Sequence, residues 1–292
     1  MKENKIIIRS IATLEEINQV PQVESAIWGK GLSSAIPTHL LIAIAKNDGL
    51  LLGAYIDRKL IGFMLGWLGT TDSDNPQEAS QHLKLVSHMN GVLPEYRDQR
   101  IGLRLKLAQR EWALARKLAL VTWTFDPLES RNARLNIQRL GATCQIYLRD
   151  VYGELADGLN SGIATDRFRV DWYINGKHVR DKLVSKTKAS TLADLNAQLL
   201  NSAILHPDRH PHPAERIEKP AKKQILVEIP ANIQVIRQDD LALGIAWREH
   251  TRGIFESLFA EGYKVTDFIY EQDSSFARSF YLLENRGISD EN

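Results

Sequence analysis

The sequence predicts an α/β fold in which helices cover both faces of a mixed β-sheet. Two apolar runs, Leu50–Ile56 and Leu60–Trp67, flank a short charged turn and predict a hairpin. A third run, Leu83–Leu93, leads into a segment in which apolar residues recur at helical spacing from Ile101 onward. A further strand, Leu120–Phe125, follows that helix. Strands interrupted in this way by an amphipathic helix need helices packed on a mixed sheet.

The composition argues against several classes of partner. The chain has 292 residues, of which 43% are hydrophobic and 25% charged, as is ordinary for a globular protein. Its formal net charge of +1 gives no strong field for nucleic acid or an anionic membrane. The single cysteine, Cys144, excludes an intrachain disulfide, and the N-terminal residues lack the apolar core of a secretory signal. We therefore expect a cytoplasmic protein that binds neither nucleic acid nor membrane.

Composition and element order divide the chain into three parts. Residues 1–175 carry the strands and helices of the first predicted domain. Residues 176–223 are polar and rich in proline, and are interpreted as a linker. Residues 224–292 predict a C-terminal α/β subdomain with the order strand, helix, strand, strand. Residues 120–174 have the same order, so the subdomain is either a degenerate half-copy of the first domain or an appendage that matches it by coincidence.

The segment from Gly91 to Leu105 carries the strongest functional signal. A strand runs through a polar loop into the N-terminus of a helix. Unpaired backbone N–H groups and the positive end of the helix dipole converge at such a point, which suits a pyrophosphate. Gly102 allows the backbone to approach the phosphates closely. A bulge predicted at Asn90-Gly91 would separate this strand from Leu120–Phe125 and leave backbone groups free for an amide-bearing arm.

This segment resembles the acetyl-CoA loop of the GNAT N-acetyltransferase superfamily, and in particular a poorly characterised branch of predicted acetyltransferases. The family loop reads Arg/Gln-x-x-Gly-x-Gly/Ala after a Val-x-Pro strand end. Val92-Leu93-Pro94 matches the strand end, and Arg97, Ile101 and Gly102 match the loop. Arg100 replaces the first glycine of the pattern. Its side chain either narrows the pyrophosphate cradle or pairs with a phosphate.

The resemblance covers about residues 6–174 and implies a GNAT-like acyl-CoA N-acyltransferase fold with a C-terminal α/β extension. It implies acetyl-CoA, or another acyl-CoA, as the cosubstrate. Arg104 and Lys106 either meet the 3′-phosphate of CoA or belong to a solvated helix face, because they lie off the apolar stripe that starts at Leu105. The implied cofactor-binding residues are Val92, Leu93, Arg97, Asp98, Gln99, Arg100, Ile101, Gly102 and Leu103.

The resemblance also implies a catalytic base and an electrophilic contact. GNAT enzymes often place a carboxylate or a histidine on the strand before the loop, and His88 lies on that strand. Imidazole has the proton affinity needed to deprotonate an ammonium group. The alternative is a hydrogen-bonded histidine packed at a strand end. The backbone N–H of Leu93 is expected to polarise the thioester carbonyl.

The general acid that many family members use is missing. They carry a tyrosine on the later helix, seven residues after an asparagine, and the aligned positions here hold Ile137 and Ser130. The proton for the CoA thiolate would then come from water, Ser130, Tyr147 or Tyr152. Candidate residues for the acceptor side of the cleft are Trp28, Asp126, Asn132 and Asn136. The structural alternatives are core packing for Trp28, a turn at Asp126 and the start of a helix at Asn132.

Three functions therefore stay open. The chain is an enzyme that moves an acetyl or other acyl group from CoA to an amine of a small molecule or peptide, a catalytically inactive CoA-binding or regulatory module, or a structural interaction domain with a vestigial fold that does not bind CoA. No metal is expected, because prolines separate His206, His210 and His212 and no cysteine or clear carboxylate completes a ligand set. The sequence leaves the oligomeric state open, and a homodimer is compatible with it.

Overall fold

The computed structural model describes residues 5–29, 35–71, 82–153, 162–184, 191–272 and 276–285. These residues form two compact units. The first contains the described residues up to Trp123 together with Tyr173–Asn175, and the second contains the others. Both units combine strands with helices, which confirms the predicted α/β class. Among the described helices, none is both long and apolar enough to cross a membrane.

The first unit is built on a mixed sheet in the order β1-β2-β3-β4-β5. Neighbouring strands are antiparallel except β4 and β5, which are parallel. The predicted hairpin is confirmed, since β2 pairs with β3 and Asp57 takes the left-handed conformation at the turn (φ 53°). The strands are β1 (Ile6–Ser10), β2 (Leu50–Ile56), β3 (Lys59–Thr70), β4 (Leu83–Val92) and β5 (Leu120–Phe125).

Helices of the first unit begin and end at residues that favour helix termini. Thr13 Oγ1 accepts the Glu16 N–H, and the Glu16 carboxylate accepts the Thr13 N–H, so the predicted capping box is confirmed. Gly29 ends the second helix in the left-handed conformation (φ 67°). The helices are α1 (Leu14–Ile17), α2 (Val20–Trp28), α3 (Thr38–Lys46) and α4 (Ile101–Ala115).

The second unit has strands in the order β7-β6-β12-β13-β11-β8, and a separate pair formed by β9 and β10. The strands are β6 (Thr143–Leu148), β7 (Arg167–Tyr173), β8 (Gln198–Leu199), β9 (Ile204–Leu205), β10 (Pro211–His212), β11 (Gln224–Pro230), β12 (Lys264–Gln272) and β13 (Ala277–Glu284). The helices are α5 (Ser130–Ala133), which continues as a π-helix over Arg134–Arg139, α6 (Lys177–Val184), α7 (Ile233–Asp239) and α8 (Leu241–Ala260).

The core of the second unit is centred on Phe168. Its ring centroid lies 4.8 Å from that of Phe255, 5.3 Å from that of Tyr281 and 5.9 Å from that of Phe125, each at a steep angle. Edge-to-face packing of this kind is favoured by the ring quadrupoles. The aromatic cluster therefore joins β7 to β5, β13 and α8 inside this unit.

The irregularity in β4 lies at His88, and the prediction of a bulge at Asn90-Gly91 is wrong. Ser87 and Met89 oppose the consecutive residues Gly66 and Leu65 of β3, so His88 is the extra residue. A bulge of this kind bends its strand and increases the local twist.

Gly91 marks a close approach to the strand backbone, which is the other feature that a glycine within a strand predicts. A Cβ at this position would lie 2.7 Å from the Trp28 ring and 2.8 Å from the Ile27 side chain. Both residues belong to the last turn of α2. The glycine therefore allows α2 to pack closely against β4, which is one of the known uses of glycine within a strand.

Gly91→Ala is expected to destabilise the protein by about 1–3 kcal/mol, because the added methyl overpacks the contact between β4 and α2. Gly253→Ala is the control: this glycine is exposed in the middle of α8, nothing lies within 4 Å of its Cβ position, and alanine should stabilise the helix by about 0.5–1 kcal/mol. Urea unfolding measures both changes. A Gly91→Ala protein as stable as the wild type would contradict the close contact.

Candidate functional site

β4 and β5 are parallel neighbours that part from each other. Their registered pairs are Leu85 with Val121 and Val86 with Thr122. β4 continues beyond these pairs to Val92, and its bulge at His88 comes two residues after Val86. A strand that separates from its neighbour leaves an edge to which an extended, amide-bearing ligand can add.

A short loop leads from β4 to the start of α4. A 3₁₀ turn at Pro94–Tyr96 is followed by two residues in the left-handed conformation, Asp98 (φ 64°) and Arg100 (φ 58°). α4 then begins at Ile101, and the Arg100 side chain makes no capping hydrogen bond to it. The first-turn N–H groups and the positive end of the helix dipole therefore face the loop, which is the geometry of an anion site.

Arg100 adopts a backbone conformation that usually favours glycine. This left-handed conformation is one that glycine adopts without strain and that costs other residues of the order of 1–3 kcal/mol. The side chain of Arg100 is exposed. Asn90 Nδ2 donates to Gly102 O at 3.3 Å and ties the first turn of α4 to β4.

Two of the predicted cofactor-binding residues make hydrogen bonds within the protein. Arg97 turns back from the loop, with Nε 3.4 Å from Val92 O and Nη2 3.4 Å from Ile27 O. The backbone N–H of Leu93 donates to Ile61 O in β3 at 2.9 Å. The expectation that this N–H polarises a thioester carbonyl is therefore wrong, because β3 already takes it.

A buried polar cluster lies where β4 and β5 part. Lys106 Nζ is 3.0 Å from Ser87 Oγ, 3.2 Å from Gln109 Oε1 and 3.5 Å from the centre of the Trp123 ring. Ser87 follows the last paired residue of β4, and Trp123 follows the last paired residue of β5. Lys106, Ser87 and Gln109 are 2%, 3% and 0% exposed. Together with Trp123, these residues are called the floor cluster.

The prediction that Lys106 lies on a solvated face of the helix is wrong, because the residue is buried. Lys106, Gln109 and Ala113 follow one another at helical steps of three and four, and α4 buries all three. The sequence prediction placed the lysine outside because burying an ammonium group is costly. Helical spacing alone, with polar residues counted as possible core positions, predicts that Lys106 shares a buried face with Gln109 and Ala113.

Burial favours the uncharged form of Lys106. Loss of water around the amine disfavours its charged form and holds the pKa of Lys106 well below its ordinary value. Nζ donates to Ser87 Oγ and to Gln109 Oε1, and it lies over the face of the Trp123 ring. After losing a proton, the same nitrogen has a lone pair that can accept the Ser87 hydroxyl proton at this distance.

His88 and Trp28, predicted as base and acceptor wall, both lie in the first unit. The exposed His88 ring lies against Trp67, with ring centres 4.9 Å apart and a tilt of 44°. Trp28 is half-buried and meets Phe63 edge to face at 6.0 Å. The structure thus places His88 on the bulge and Trp28 against β4 at Gly91.

The other acceptor-side candidates lie in the second unit. Asp126 is 9% exposed, and its Oδ1 accepts the Leu128 N–H at 2.8 Å, as a turn former does. Its Oδ2 accepts a hydrogen bond from Arg248 Nη2. Asn132 is exposed and Asn136 is buried. Arg248 was not found from the sequence, because 122 residues separate it from Asp126 and no local pattern joins them.

The residues predicted to donate a proton to the CoA thiolate lie in the second unit, where each of them makes a hydrogen bond within the protein. Ile137, at the position of the family tyrosine, is fully buried. Ser130 shares a hydrogen bond with a serine of β13 at 2.8 Å. Tyr147 donates to Asp166 Oδ2 at 2.7 Å, and burial raises the pKa of Tyr147. The Tyr152 hydroxyl lies 3.4 Å from a threonine hydroxyl of β5.

In the part of the chain that the structure describes, no three His, Cys, Asp or Glu side chains form a group that could hold a metal ion. The histidines of the predicted linker make other contacts. The rings of His206 and His212 stack at 4.0 Å, and His212 Nε2 lies 2.7 Å from Asp208 Oδ2. His210 Nε2 lies 3.1 Å from Asp239 Oδ2.

No protein-family model matches the chain, and no curated protein matches it. Solved structures similar to it include Arabidopsis thaliana NAA60 in complex with a bisubstrate analogue, with 16% identity, 59% of this chain and 99% of that chain covered, and a TM-score of 0.46. For NAA60 in complex with acetyl-CoA the identity is 13%, the match covers 58% of this chain and 99% of that chain, and the TM-score is 0.45. For an N-acetyltransferase from Staphylococcus aureus the identity is 14%, the match covers 58% of this chain and 99% of that chain, and the TM-score is 0.45.

Lys106→Met is expected to change the pH dependence of stability. Because folding lowers the pKa of Lys106, the unfolded chain binds more protons than the folded chain between the folded-state pKa and the ordinary lysine value. The stability of the wild type relative to Lys106→Met therefore rises with pH across this window, by at most about 1.4 kcal/mol per pH unit. Urea unfolding of both proteins from about pH 6 to about pH 10 measures the difference. A difference that stays constant would show that folding leaves this pKa unchanged.

Proposed function

We propose that this chain is a GNAT-type acyltransferase that moves an acetyl or other acyl group from CoA to an amine. The parting of β4 and β5 at the His88 bulge, just before a loop that ends at the N-terminus of α4, is the main support. The helix start suits a diphosphate, and the exposed strand edge suits an amide-bearing arm. Acyl-CoA joins these two groups in one molecule.

The cofactor would lie along β4 with its diphosphate at the start of α4. Backbone N–H groups of residues 101–103 would hold the phosphates, with the loop at 97–100 around them. Asn90 Oδ1 and Gln109 Nε2 are buried and have no hydrogen-bond partner within the described residues. Buried polar groups are nearly always paired, and an amide of the arm offers both a donor and an acceptor.

His88 would take a proton from the acceptor amine, which must be uncharged to attack a carbonyl carbon. Its side chain is exposed on the bulge of β4, so an acceptor can reach it from solvent. Imidazole is the side chain best suited to accept a proton at neutral pH, as a general base must. The acceptor would be a small molecule or a peptide with a free amine.

A catalytically inactive CoA-binding module on the same fold is the second candidate. The observation that favours it is the fully buried Ile137 at the position of the family's acidic tyrosine. Such a module would bind CoA thioesters through the same loop and would transfer no acyl group.

We also propose that the C-terminal subdomain is a half-copy of the second half of the first predicted domain. In the subdomain, β13 lies between β11 and β12. In the earlier segment, β7 pairs with β6, and Ile174 after β7 donates its N–H to Ala119 O before β5 at 3.1 Å. In each segment the third strand pairs with the second, and in the earlier one the residue after the third strand is bonded to the residue before the first strand.

The two segments also share the way their helices end. Gly141 and Gly262 follow the two helices in the left-handed conformation, with φ of 70° and 88°. The carbonyl before Gly141 accepts Trp172 Nε1–H from β7 at 2.7 Å. The carbonyl before Gly262 accepts an Asn285 Nδ2–H just after β13 at 2.8 Å. Equivalent contacts at equivalent places support a duplication over a coincidence of element order.

Acetyl-CoA at about 100 times its Kd is expected to stabilise the wild type by about 2.7 kcal/mol, because it binds only the folded chain. Gly102→Glu should abolish this effect, since a carboxylate at the helix start repels a diphosphate. Gly253→Glu places the same residue on an exposed helix with nothing nearby and should keep it. Thermal unfolding with and without ligand gives the result. A wild type that no CoA thioester stabilises would rule out the proposal.

His88→Ala is expected to lower kcat/KM for acyl transfer by about 10²–10⁴-fold while leaving the stabilisation by acetyl-CoA unchanged. His39→Ala, at an exposed position of α3, is the matched control and should transfer normally. Release of CoA thiol in the presence of a panel of amines provides the assay. Unchanged transfer by His88→Ala would remove His88 from the mechanism. Binding of acetyl-CoA with no transfer to any amine would favour the inactive module.

A further inference from the structure

Within the floor cluster, Ser87 and Lys106 lie at the distance expected of a nucleophile and its base. Their side-chain atoms Oγ and Nζ are 3.0 Å apart, within hydrogen-bond distance. A serine hydroxyl is a weak nucleophile until an adjacent base takes its proton, and a lysine amine performs this role in Ser-Lys enzymes. The pair lies on neighbouring elements, β4 and α4, that are packed together in the first unit.

The other two members of the floor cluster hold the lysine in position. Gln109 Oε1 and the Trp123 ring contact Nζ from other directions, so the amine is fixed toward Ser87. An amine must be uncharged before it can accept a proton. Burial lowers the pKa of Lys106, and loss of water is the cause of that shift. The buried position therefore favours the free amine that the pair requires.

The position of the pair matches the place where the proposed acyl arm would end. Ser87 is the first residue of β4 beyond its registered pairs with β5, and the bulge at His88 follows it directly. Ser87 is also buried, so an ester formed there would be shielded from water.

We infer that Ser87 accepts the acyl group from the CoA thioester as a covalent ester, with Lys106 as its general base. This inference rests on the proposed function. Ser87 Oγ attacks the thioester carbonyl carbon while its proton passes to Lys106 Nζ. The carbon–sulfur bond then breaks, and the lysine ammonium returns the proton to the CoA thiolate. The products are the acyl-serine and CoA with its thiol protonated.

The second half of the reaction regenerates the serine. An uncharged acceptor amine attacks the ester carbonyl, and Lys106 takes a proton from the amine nitrogen. The carbon–oxygen bond to Ser87 breaks, and the same proton passes to Oγ. An amide leaves and the hydroxyl is restored. The route supplies the thiolate proton that the buried Ile137 cannot supply.

The half-reaction in the absence of an acceptor tests the inference. Wild-type protein mixed with acetyl-CoA is expected to release about one equivalent of CoA thiol per chain in a burst and to gain one acetyl group by intact mass. Peptide mapping should place the group on Ser87. Ser87→Ala should lose both signals and transfer acyl groups more than about 10³-fold more slowly. Lys106→Met should slow the burst about 10²–10⁴-fold.

Acetyl-CoA stabilisation of each variant, by thermal unfolding, separates this inference from the proposed function. A wild type that binds acetyl-CoA and transfers without a burst, with Ser87→Ala equally active, overturns the covalent route and leaves the transferase intact. An acetyl group found on Lys106 instead of Ser87 overturns it as well. A wild type that no CoA thioester stabilises overturns both. Ser87→Ala that keeps its stabilisation but loses the burst supports the route, since the site is then still folded.

Discussion

The bulge at His88 is the constraint on which the proposed site depends. One additional residue in β4 shifts its register with β3, and the ladder with β5 ends at about the same place. Backbone groups that a regular sheet would pair become available at that point. A lysine, a serine and a glutamine are buried next to that point, and their side chains bond to one another.

The floor cluster shows how a polar group can be buried without a charge of opposite sign. Burial lowers the pKa of Lys106, and its amine contacts a hydroxyl, an amide oxygen and an aromatic face. The second unit solves a related problem differently. There Arg248 pairs with Asp126, because a guanidinium group stays protonated at any ordinary pH. The contrast follows from the chemistry of the two side chains.

Features governed by local rules could be predicted from the sequence. The hairpin at Asp57, the capping box at Thr13 and the helix from Ile101 all depend on residues close together in the chain. The position of the bulge depends instead on how β4 packs against α2 and α4. Gly91 suggested a bulge because glycine serves several purposes in strands, and here it makes room for Trp28. Tertiary packing decides between such purposes.

The same limit applies to the site. The loop and the start of α4 were predictable, since they follow one another in sequence. The floor cluster combines residues of β4, α4 and β5, which are far apart in sequence. A prediction from polarity puts a lysine on the surface, because its side chain is usually charged. The Leu93 N–H was assigned to a ligand because its pairing with Ile61 in β3 is visible only in the folded sheet.

Arg100 has one further consequence. Its backbone takes the torsion angles of glycine although the residue is arginine. A left-handed backbone at this position is therefore compatible with an arginine as well as with a glycine, so the letters of a motif do not by themselves decide the path of a loop.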